Sequence, residues 1–216
     1  VLDMKKGEDV KKMRAIAEEA FEMVREYKGS HSGEHGDGIV RSEFHGKMYG
    51  DRLVKAFSEI KSLFDPKALL NPGRIVDPPK MDDRSLFRYK PNYQATEITT
   101  ALDWSDWTGL SGAVEMCNNN GACRKVSAGV MCPSYRVTKD EKHVTRGRAN
   151  TLRLALSGQL GPDAISSKEM SETMELCVSC KACRRECPTG VDMAKMKIEH
   201  KAAYVQKNGL SIRDRL

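Results

Sequence analysis

The stretch that decides the fold is Cys177-Val178-Ser179-Cys180-Lys181-Ala182-Cys183-Arg184-Arg185-Glu186-Cys187-Pro188. Its spacing is C-x2-C-x2-C-x3-C-P, a pattern typical of chains that hold iron–sulfur clusters through cysteine thiolates. Because the first gaps are only two residues long, three thiolates from one loop can converge on one cluster. In two-cluster proteins the fourth cysteine, followed by proline, ligates the other cluster. The run therefore predicts a second group of cysteines elsewhere in the chain.

A second cysteine group is present earlier in the chain. It consists of Cys117-Asn118-Asn119-Asn120-Gly121-Ala122-Cys123 and, later, Met131-Cys132-Pro133. When the two groups are aligned, Asn120 occupies the second position, where a cysteine is usual. Cys132 follows Cys123 after a gap of eight residues instead of three. The second group therefore offers one thiolate fewer than the first.

An exchange of fourth ligands between the groups predicts two cluster sites. The first site, for a [4Fe–4S] cluster, has as its ligands Cys177, Cys180, Cys183 and Cys132. The second site has as its ligands Cys117, Cys123 and Cys187. Three thiolates suit a [3Fe–4S] cluster, or a labile [4Fe–4S] cluster whose unique iron binds water or Asn120. We favour the [3Fe–4S] form, because an amide oxygen is a poor ligand for iron that prefers thiolate.

Other uses of these cysteines are less consistent with the pattern. Structural zinc usually pairs two separated C-x2–4-C knuckles around one tetrahedral ion, whereas here three cysteines crowd together and two Cys-Pro pairs follow. A disulfide framework is disfavoured because the seven cysteines are odd in number and clustered. Such clustering suits metal binding in a reducing cytoplasm.

Composition bounds the class of protein. With 216 residues, 39% hydrophobic and 31% charged, the chain fits one or two globular domains with a limited core. No apolar stretch approaches the ~18–20 residues of a membrane-spanning helix, and no signal peptide is visible. We therefore expect a cytoplasmic protein, or one at the inner face of the membrane. The chain begins at Val1 and stops at Leu216 in a basic segment, which suggests a fragment of a longer protein.

Nucleic-acid binding is not expected, although the net charge is +6. The basic residues are spread along the chain, and aromatic residues make up only 6% of it, so no stacking surface is indicated. Several basic residues flank the cysteines, namely Arg124, Lys125, Arg146, Arg148, Lys181, Arg184 and Arg185. They either offset the charge of a cluster and raise its potential or form a solvated rim. For Arg146 and Arg148, binding to an acidic partner is a further alternative.

The first part of the chain predicts two amphipathic helices around a glycine-rich loop. Apolar residues recur at helical spacing over residues 8–28, and again from Tyr49 to Phe64. The apolar face of the second helix consists of Leu53, Phe57, Ile60 and Phe64. Between the helices, residues 29–38 contain four glycines and two histidines. This loop is either a turn-rich connector with solvated histidines or a close approach to a ligand, with Glu34 and His35 as a metal-and-base pair.

Two motifs in this part resemble the C-terminal end of the FAD-linked oxidase family. They are Gly33-Glu34-His35-Gly36 and Phe64-Asp65-Pro66-Lys67-Ala68-Leu69-Leu70-Asn71-Pro72-Gly73-Arg74-Ile75. The family includes D-lactate, glycolate and D-2-hydroxyglutarate dehydrogenases, and the resemblance covers residues 1–77. It implies that Glu34 is a ligand of a divalent metal, that His35 is the base or a substrate contact, and that Asn71 lies near the flavin ring. The family's FAD-binding domain lies upstream and is absent here, so this chain alone is not expected to turn over substrate.

The second part of the chain predicts helices around the cysteine groups. A proline-containing linker at residues 78–109 precedes it, in which Trp104 and Trp107 are predicted packing anchors. Helices are predicted over residues 145–156, 171–176 and 193–206. With its long spacer between cysteine groups, this part resembles the two-cluster, α-helical ferredoxin domain over residues 110–205. We therefore expect an α+β chain, with short strands near residues 74–76 and 96–102 and a mainly helical domain at 110–216.

Together the resemblances imply a fused flavin and iron–sulfur protein. In the complete enzyme a D-2-hydroxy acid would be oxidised by FAD, and the clusters would pass the electrons to a quinone, another protein, or a downstream cluster or reductase domain. Two alternatives stay open: a non-catalytic iron–sulfur electron carrier whose flavin-side motifs are vestigial, and a zinc-stabilised basic binding module.

Overall fold

The structure, a computed structural model, describes residues 1–33 and 35–210. The chain divides into two compact units, Val1–Tyr93 and Gln94–Leu216, which we call the N-terminal unit and the cysteine unit. The helices of the N-terminal unit are α1 (Gly7–Glu26), α2 (His45–Tyr49) and α3 (Asp51–Phe64). Those of the cysteine unit are α4 (Leu110–Glu115), α5 (Pro133–Thr138), α6 (Thr145–Leu156), α7 (Lys168–Glu175), α8 (Ala182–Glu186) and α9 (Met193–Asn208).

The N-terminal unit has a small core beside α1. Phe21 and Phe44 stack at 5.2 Å between ring centroids, and Met81 packs with them. Arg14 ties α1 to two later segments, because its guanidinium contacts Glu43 at 3.2 Å and Asp82 at 2.6 Å. The acidic first turn of α1 suits the partial positive charge of a helix N-terminus.

The predicted apolar face of α3 is not buried within the N-terminal unit. No residue of α3 is fully buried, and Leu53, Ile60 and Phe64 are 47%, 55% and 85% exposed. Helical periodicity correctly placed the helix, but it shows only which side chains share a face and not what covers that face. Tyr27, at the C-terminal end of the first predicted amphipathic helix and just after α1, is also exposed.

No β-strand forms among the described residues, so the α+β expectation is not confirmed. Residues 74–76 form bends, and residues 96–102 are irregular. A strand needs a neighbouring strand to pair with its backbone. Here the backbone donors go elsewhere: Thr96 N donates to the carbonyl of Leu156 at 2.6 Å, and Ala101 and Leu102 donate to the carboxylate of Glu199.

Glu199 fastens this irregular segment to α9. The carboxylate is buried and also accepts a hydrogen bond from Trp104 Nε1 at 2.8 Å. Three donors satisfy the buried carboxylate, as burial of a charge requires. The indole of Trp104 is buried and Trp107 packs against the same core, which confirms the prediction that both tryptophans are packing anchors.

The two cysteine loops repeat one backbone pattern. In residues 117–123 the third and fifth positions have positive φ values of 64° and 77°, and in residues 177–183 the same positions have 55° and 58°. Each loop follows a helix that ends just before it, α4 or α7. Each of these helices packs against a longer one, α4 against α6 and α7 against α9. The cysteine unit is therefore built as an internal repeat.

None of the helices in the described part of the chain combines the length and the apolar character that crossing a bilayer requires.

Candidate iron–sulfur centres

Four cysteines from two distant parts of the chain line one cavity in the cysteine unit. They are Cys132, Cys177, Cys180 and Cys183. The cavity leaves about 330 Å³ of unfilled space, including solvent at its mouth. Its walls also include Met131, Met193 and Ala194, so most of the surroundings of the thiols are apolar. The four side chains that the spacing assigned to one cluster thus face a common space.

Backbone donors point at the thiols of this first centre. Met193 N, in the first turn of α9, donates to Cys183 Sγ at 3.4 Å. Burial raises the pKa of the Cys183 thiol, and the amides of Met193 and Ala194 act in the opposite direction. Hydrogen bonds to ligand sulfurs favour the thiolate and tune the potential of a cluster. Because metals bind the thiolate, cluster binding there releases protons.

Glu186, in the cysteine run at residues 177–187, binds the backbone just before Cys132. Its carboxylate accepts hydrogen bonds from Val130 N at 2.8 Å and Met131 N at 3.1 Å. These backbone contacts lower the pKa of Glu186. The two donors are the last residues of the eight-residue gap before Cys132, so Glu186 fixes the end of that gap next to the cysteine. This role of Glu186 was not predicted, because a glutamate between two cysteines carries no spacing signal.

The second predicted centre lies at the other half of the repeat. Cys117 and Cys123 are both buried and close enough to interact electrostatically. Burial raises the pKa of the Cys123 thiol, and the amide of Arg146, in the first turn of α6, donates to its sulfur and opposes that shift. Cys187 ends α8, which packs against the turn Ala122–Arg124. The two centres thus receive a helix N-terminal amide in the same way.

The two Cys-Pro segments also match. Cys132 Sγ lies 3.5 Å from Ser134 Oγ, and Cys187 Sγ lies 3.3 Å from Thr189 Oγ1. In each case the hydroxyl belongs to the residue after the proline. Cys132 and Cys187 therefore occupy corresponding positions of the repeat.

Asn120 occupies the position in its loop that Cys180 has in the other. Its side chain holds the loop together: Oδ1 accepts from Ala122 N at 2.8 Å and Nδ2 donates to Asn118 Oδ1 at 2.5 Å. Asn120 is exposed. The amide oxygen is thus engaged in a local turn, and this position of the loop supplies no thiol.

The donor set fits iron–sulfur clusters. In residues 1–33 and 35–210, no three His, Cys, Asp or Glu side chains lie close enough together to bind one metal ion. An iron–sulfur cluster does not need its ligands to meet at one ion, since each thiolate binds a separate iron of a core larger than a single ion. Thiolates spaced around a shared, mostly apolar cavity suit such a core.

The flavin-side motifs lie together in the N-terminal unit. Ile75 N donates to the carbonyl of Gly38 at 3.3 Å, which joins the end of the glycine-rich loop to the second motif. His35 is exposed, and its backbone amide donates to Ser32 at 3.2 Å. Glu34, the predicted metal ligand, lies outside the described residues. Asn71 has a positive φ of 48° and lines an open groove with Phe57 and Phe64.

Asp65 organises the turn that presents Asn71. Its carboxylate accepts hydrogen bonds from Leu69 N at 3.0 Å and Leu70 N at 2.8 Å, and it pairs with Lys61. The Lys61 ammonium, followed by the Leu70 amide, lowers the pKa of Asp65 from 3.8 to about 2. The motif after α3 is therefore a turn closed by one carboxylate.

Replacing Asp65 by asparagine is expected to lower stability at neutral pH and to weaken its dependence on acid. A carboxyl whose pKa is depressed on folding stabilises the fold above its ordinary value, and that contribution is lost as the pH falls through about 2. Urea unfolding midpoints measured from pH 7 to pH 2 check this. The difference between the two proteins should be largest at pH 7 and smallest near pH 2.

Glu59→Gln, an exposed change on the same helix, serves as the control for charge removal. Glu59 pairs only loosely with Lys55 at 3.9 Å. If wild type and Asp65→Asn lost stability in parallel on acidification, the role of this carboxylate would be refuted.

Comparisons with known proteins agree with this geometry. Residues 1–75 match the family described as FAD linked oxidases, C-terminal domain. Residues 113–191 match the 4Fe-4S dicluster domain. The chain is thus similar, within one polypeptide, to the C-terminal domain of FAD-linked oxidases followed by a two-cluster iron–sulfur domain.

Curated relatives are similar to the chain, two of those named here along most of its length. D-2-hydroxyglutarate dehydrogenase of Escherichia coli is 28% identical over 94% of this chain and 23% of its own length. The protein of the same name from Pseudomonas putida is 27% identical over 100% of this chain and 24% of its own length. A probable glycolate oxidase iron-sulfur subunit of Bacillus subtilis is 28% identical over 39% of this chain and 18% of its own length. No solved structure matches the chain.

The chain spans about a quarter of the length of the two dehydrogenases that it matches along most of its own length.

Proposed function

We propose that this chain is the electron-transfer junction of an FAD-dependent D-2-hydroxy-acid dehydrogenase of the D-lactate, D-2-hydroxyglutarate or glycolate type. The observation that carries the proposal is the cavity lined by Cys132, Cys177, Cys180 and Cys183, which lies in the same polypeptide as an FAD-linked oxidase domain. A flavin enzyme needs such a relay only when its electrons leave one at a time. The oxidase part alone would need no cluster.

The proposed ligands of the first centre, a [4Fe–4S] cluster, are the four cysteines of that cavity. Those of the second centre are Cys117, Cys123 and Cys187. The local hydrogen bonds of Asn120 favour a [3Fe–4S] cluster there over a [4Fe–4S] cluster with an amide ligand. Bound clusters would supply one-electron steps between a two-electron flavin and the acceptor. The residues of the chain hold the thiolates, supply amide donors to them and keep most of the surroundings apolar.

The proposed flavin-side roles follow the family resemblance. His35 would contact or deprotonate the 2-hydroxy acid, Glu34 would hold a divalent metal, and Asn71 would lie near the flavin ring. The joined loops of the N-terminal unit support this, since they bring the two motifs to one end of the unit. An upstream FAD-binding domain would complete the site, and strands of that domain would give the α+β class.

The proposed organisation is an oxidase part at residues 1–77, a linker at 78–109 and the cluster domain at 110–216. Its partners would be the upstream flavin domain, a downstream cluster or reductase domain, and a quinone or protein acceptor. We place the enzyme in the cytoplasm or at the inner face of the membrane.

Substitution of Cys183 by serine in the full-length enzyme tests the proposed function. We expect a D-2-hydroxy acid to bleach the flavin as in wild type. The rate at which the acceptor reoxidises the flavin should fall by at least a hundredfold, because electrons can no longer pass through the first centre. Stopped-flow absorbance at the flavin band, with and without an artificial acceptor, separates the two steps. Val178→Ala, an exposed change in the same loop, is the matched control. Loss of flavin reduction in Cys183→Ser would contradict this division of labour.

A further inference from the structure

Arg148 is a fully buried cation beside the first centre. It is 0% exposed and is the largest of the fully buried side chains. Its Nη1 donates to Cys132 Sγ at 3.6 Å, its Nη2 to Ser134 Oγ at 3.1 Å and its Nε to the carbonyl of Thr173 at 2.9 Å. The guanidinium therefore holds both the sulfur of Cys132 and the hydroxyl beside it, and it lines the cysteine cavity.

No carboxylate of the described chain forms an ion pair with this guanidinium. Neighbouring arginines differ: Arg146 pairs with Glu141 at 2.6 Å and Arg184 with Asp192 at 3.8 Å. A charge is rarely buried without a partner of opposite sign, because its desolvation is costly. Within residues 1–33 and 35–210, the groups that can face Arg148 as anions are the thiolates in the cavity, together with what they bind.

The internal repeat shows that this cation is specific to one centre. The amides of Arg146 and Met193 donate to the matching sulfurs of Cys123 and Cys183, so Arg148 in α6 corresponds to Lys195 in α9. Lys195 does not take the same role. Its ammonium lies 4.1 Å from the ring centroid of Trp104 and 5.1 Å from that of Trp107. The Arg148 contact is thus not a general consequence of the fold.

We propose that Arg148 is the built-in counter-ion of the first centre: it positions Cys132, helps the centre retain its cluster and raises the reduction potential of that cluster. This inference rests on the proposed ligand set. Reduction adds one electron to a cluster that, with its thiolate ligands, is already negative. A buried cation next to a ligand sulfur therefore stabilises the reduced cluster more than the oxidised cluster. The effect is large in a low-dielectric site, and hydrogen bonds to the sulfurs add to it.

A redox titration followed by EPR tests the inference in protein with both clusters. Arg148→Met should lower the potential of the first centre by at least about 59 mV, which is a tenfold change in a one-electron equilibrium constant. Arg148→Lys keeps the charge and should recover at least half of that shift. Lys195→Met, at the matching position of the repeat, should change that equilibrium constant for the first centre by less than twofold. An unchanged potential in Arg148→Met would overturn the proposal.

Urea unfolding of the cluster-free protein supplies a readout independent of the cluster. Without the anionic cluster, Arg148 is a buried charge without its full partner, so Arg148→Met should be as stable as wild type or more stable. If Arg148→Met failed to retain the first cluster, equal cluster-free stability would still support the counter-ion role. Reduced cluster-free stability together with cluster loss would show an ordinary structural role and overturn the proposal.

The two hypotheses fail in distinguishable ways. Wild-type protein without iron and acid-labile sulfide would refute the ligand set itself. Wild type with both clusters, combined with an unshifted Arg148→Met, would refute only the role of Arg148.

Discussion

Replacing Cys132 by serine is expected to remove about four irons and four sulfides from the protein while leaving the other centre in place. The reason is the exchange of ligands: Cys132 lines the cavity of Cys177, Cys180 and Cys183, although it lies far from them in sequence. Iron and sulfide analysis measures the loss. EPR of the oxidised protein identifies the remaining cluster, since an oxidised [3Fe–4S] centre is paramagnetic and an oxidised [4Fe–4S] centre is EPR-silent.

Cys187→Ser is the matched experiment, because Cys187 occupies the corresponding position of the repeat. Cys187→Ser should abolish the EPR signal of the oxidised protein and keep the four-iron centre. The reverse pattern, with Cys187→Ser losing the four-iron centre, would mean that each loop keeps its own fourth ligand. A silent wild-type spectrum with about eight irons would instead refute the three-iron assignment at Cys117, Cys123 and Cys187.

Replacing Gly147 by alanine is expected to destabilise the cysteine unit by about 1–3 kcal/mol, as overpacking does. A Cβ at Gly147 would lie 1.9 Å from the carbonyl oxygen of Glu141. That oxygen belongs to the backbone, so α6 would have to move away from the preceding turn. Alanine would otherwise favour a helix by about 1 kcal/mol over glycine, so the expected sign is opposite to that of propensity. Urea unfolding of cluster-free protein gives the value.

Gly46→Ala in α2 is the matched control, because the nearest atom to its Cβ is Asp51 Oδ1 at 3.8 Å, an ordinary contact. It should be neutral or slightly stabilising. A neutral Gly147→Ala would mean that the close approach of α6 to Glu141 is not required. In protein with its clusters, Gly147→Ala should also alter both centres, because its neighbours Arg146 and Arg148 contact one each.

The long helices could be predicted because their apolar residues recur at a regular spacing. The predicted helix over residues 145–156 has the observed bounds, and the one predicted to start at Met193 extends two residues further than expected, to Asn208. Helices of five or six residues, such as α2, α4 and α5, were missed since they contain too few turns to show a period. The cysteine spacing predicted which thiols share a centre; four of them line one cavity, and the assignment of ligands stays a prediction.

The remaining features depend on contacts that one sequence cannot supply. Whether the side chain of Arg146 or that of Arg148 faces a cysteine centre depends on the rotation of α6 about its axis relative to its neighbours, and the sequence of α6 alone does not give that rotation. The exposure of the apolar face of α3 depends on what packs against it. The expected strands near residues 74–76 and 96–102 failed because strand propensity does not reveal whether a pairing partner exists.

The position of α6 links the surroundings of the two proposed centres. One helix contributes an amide to Cys123 and a guanidinium to Cys132, so a mutation that shifts the whole helix should change the potentials of both proposed clusters. A change of the Arg148 side chain alone should act on one of them. We therefore expect evolution to adjust the two potentials separately through side chains such as Arg148 rather than through the backbone of α6.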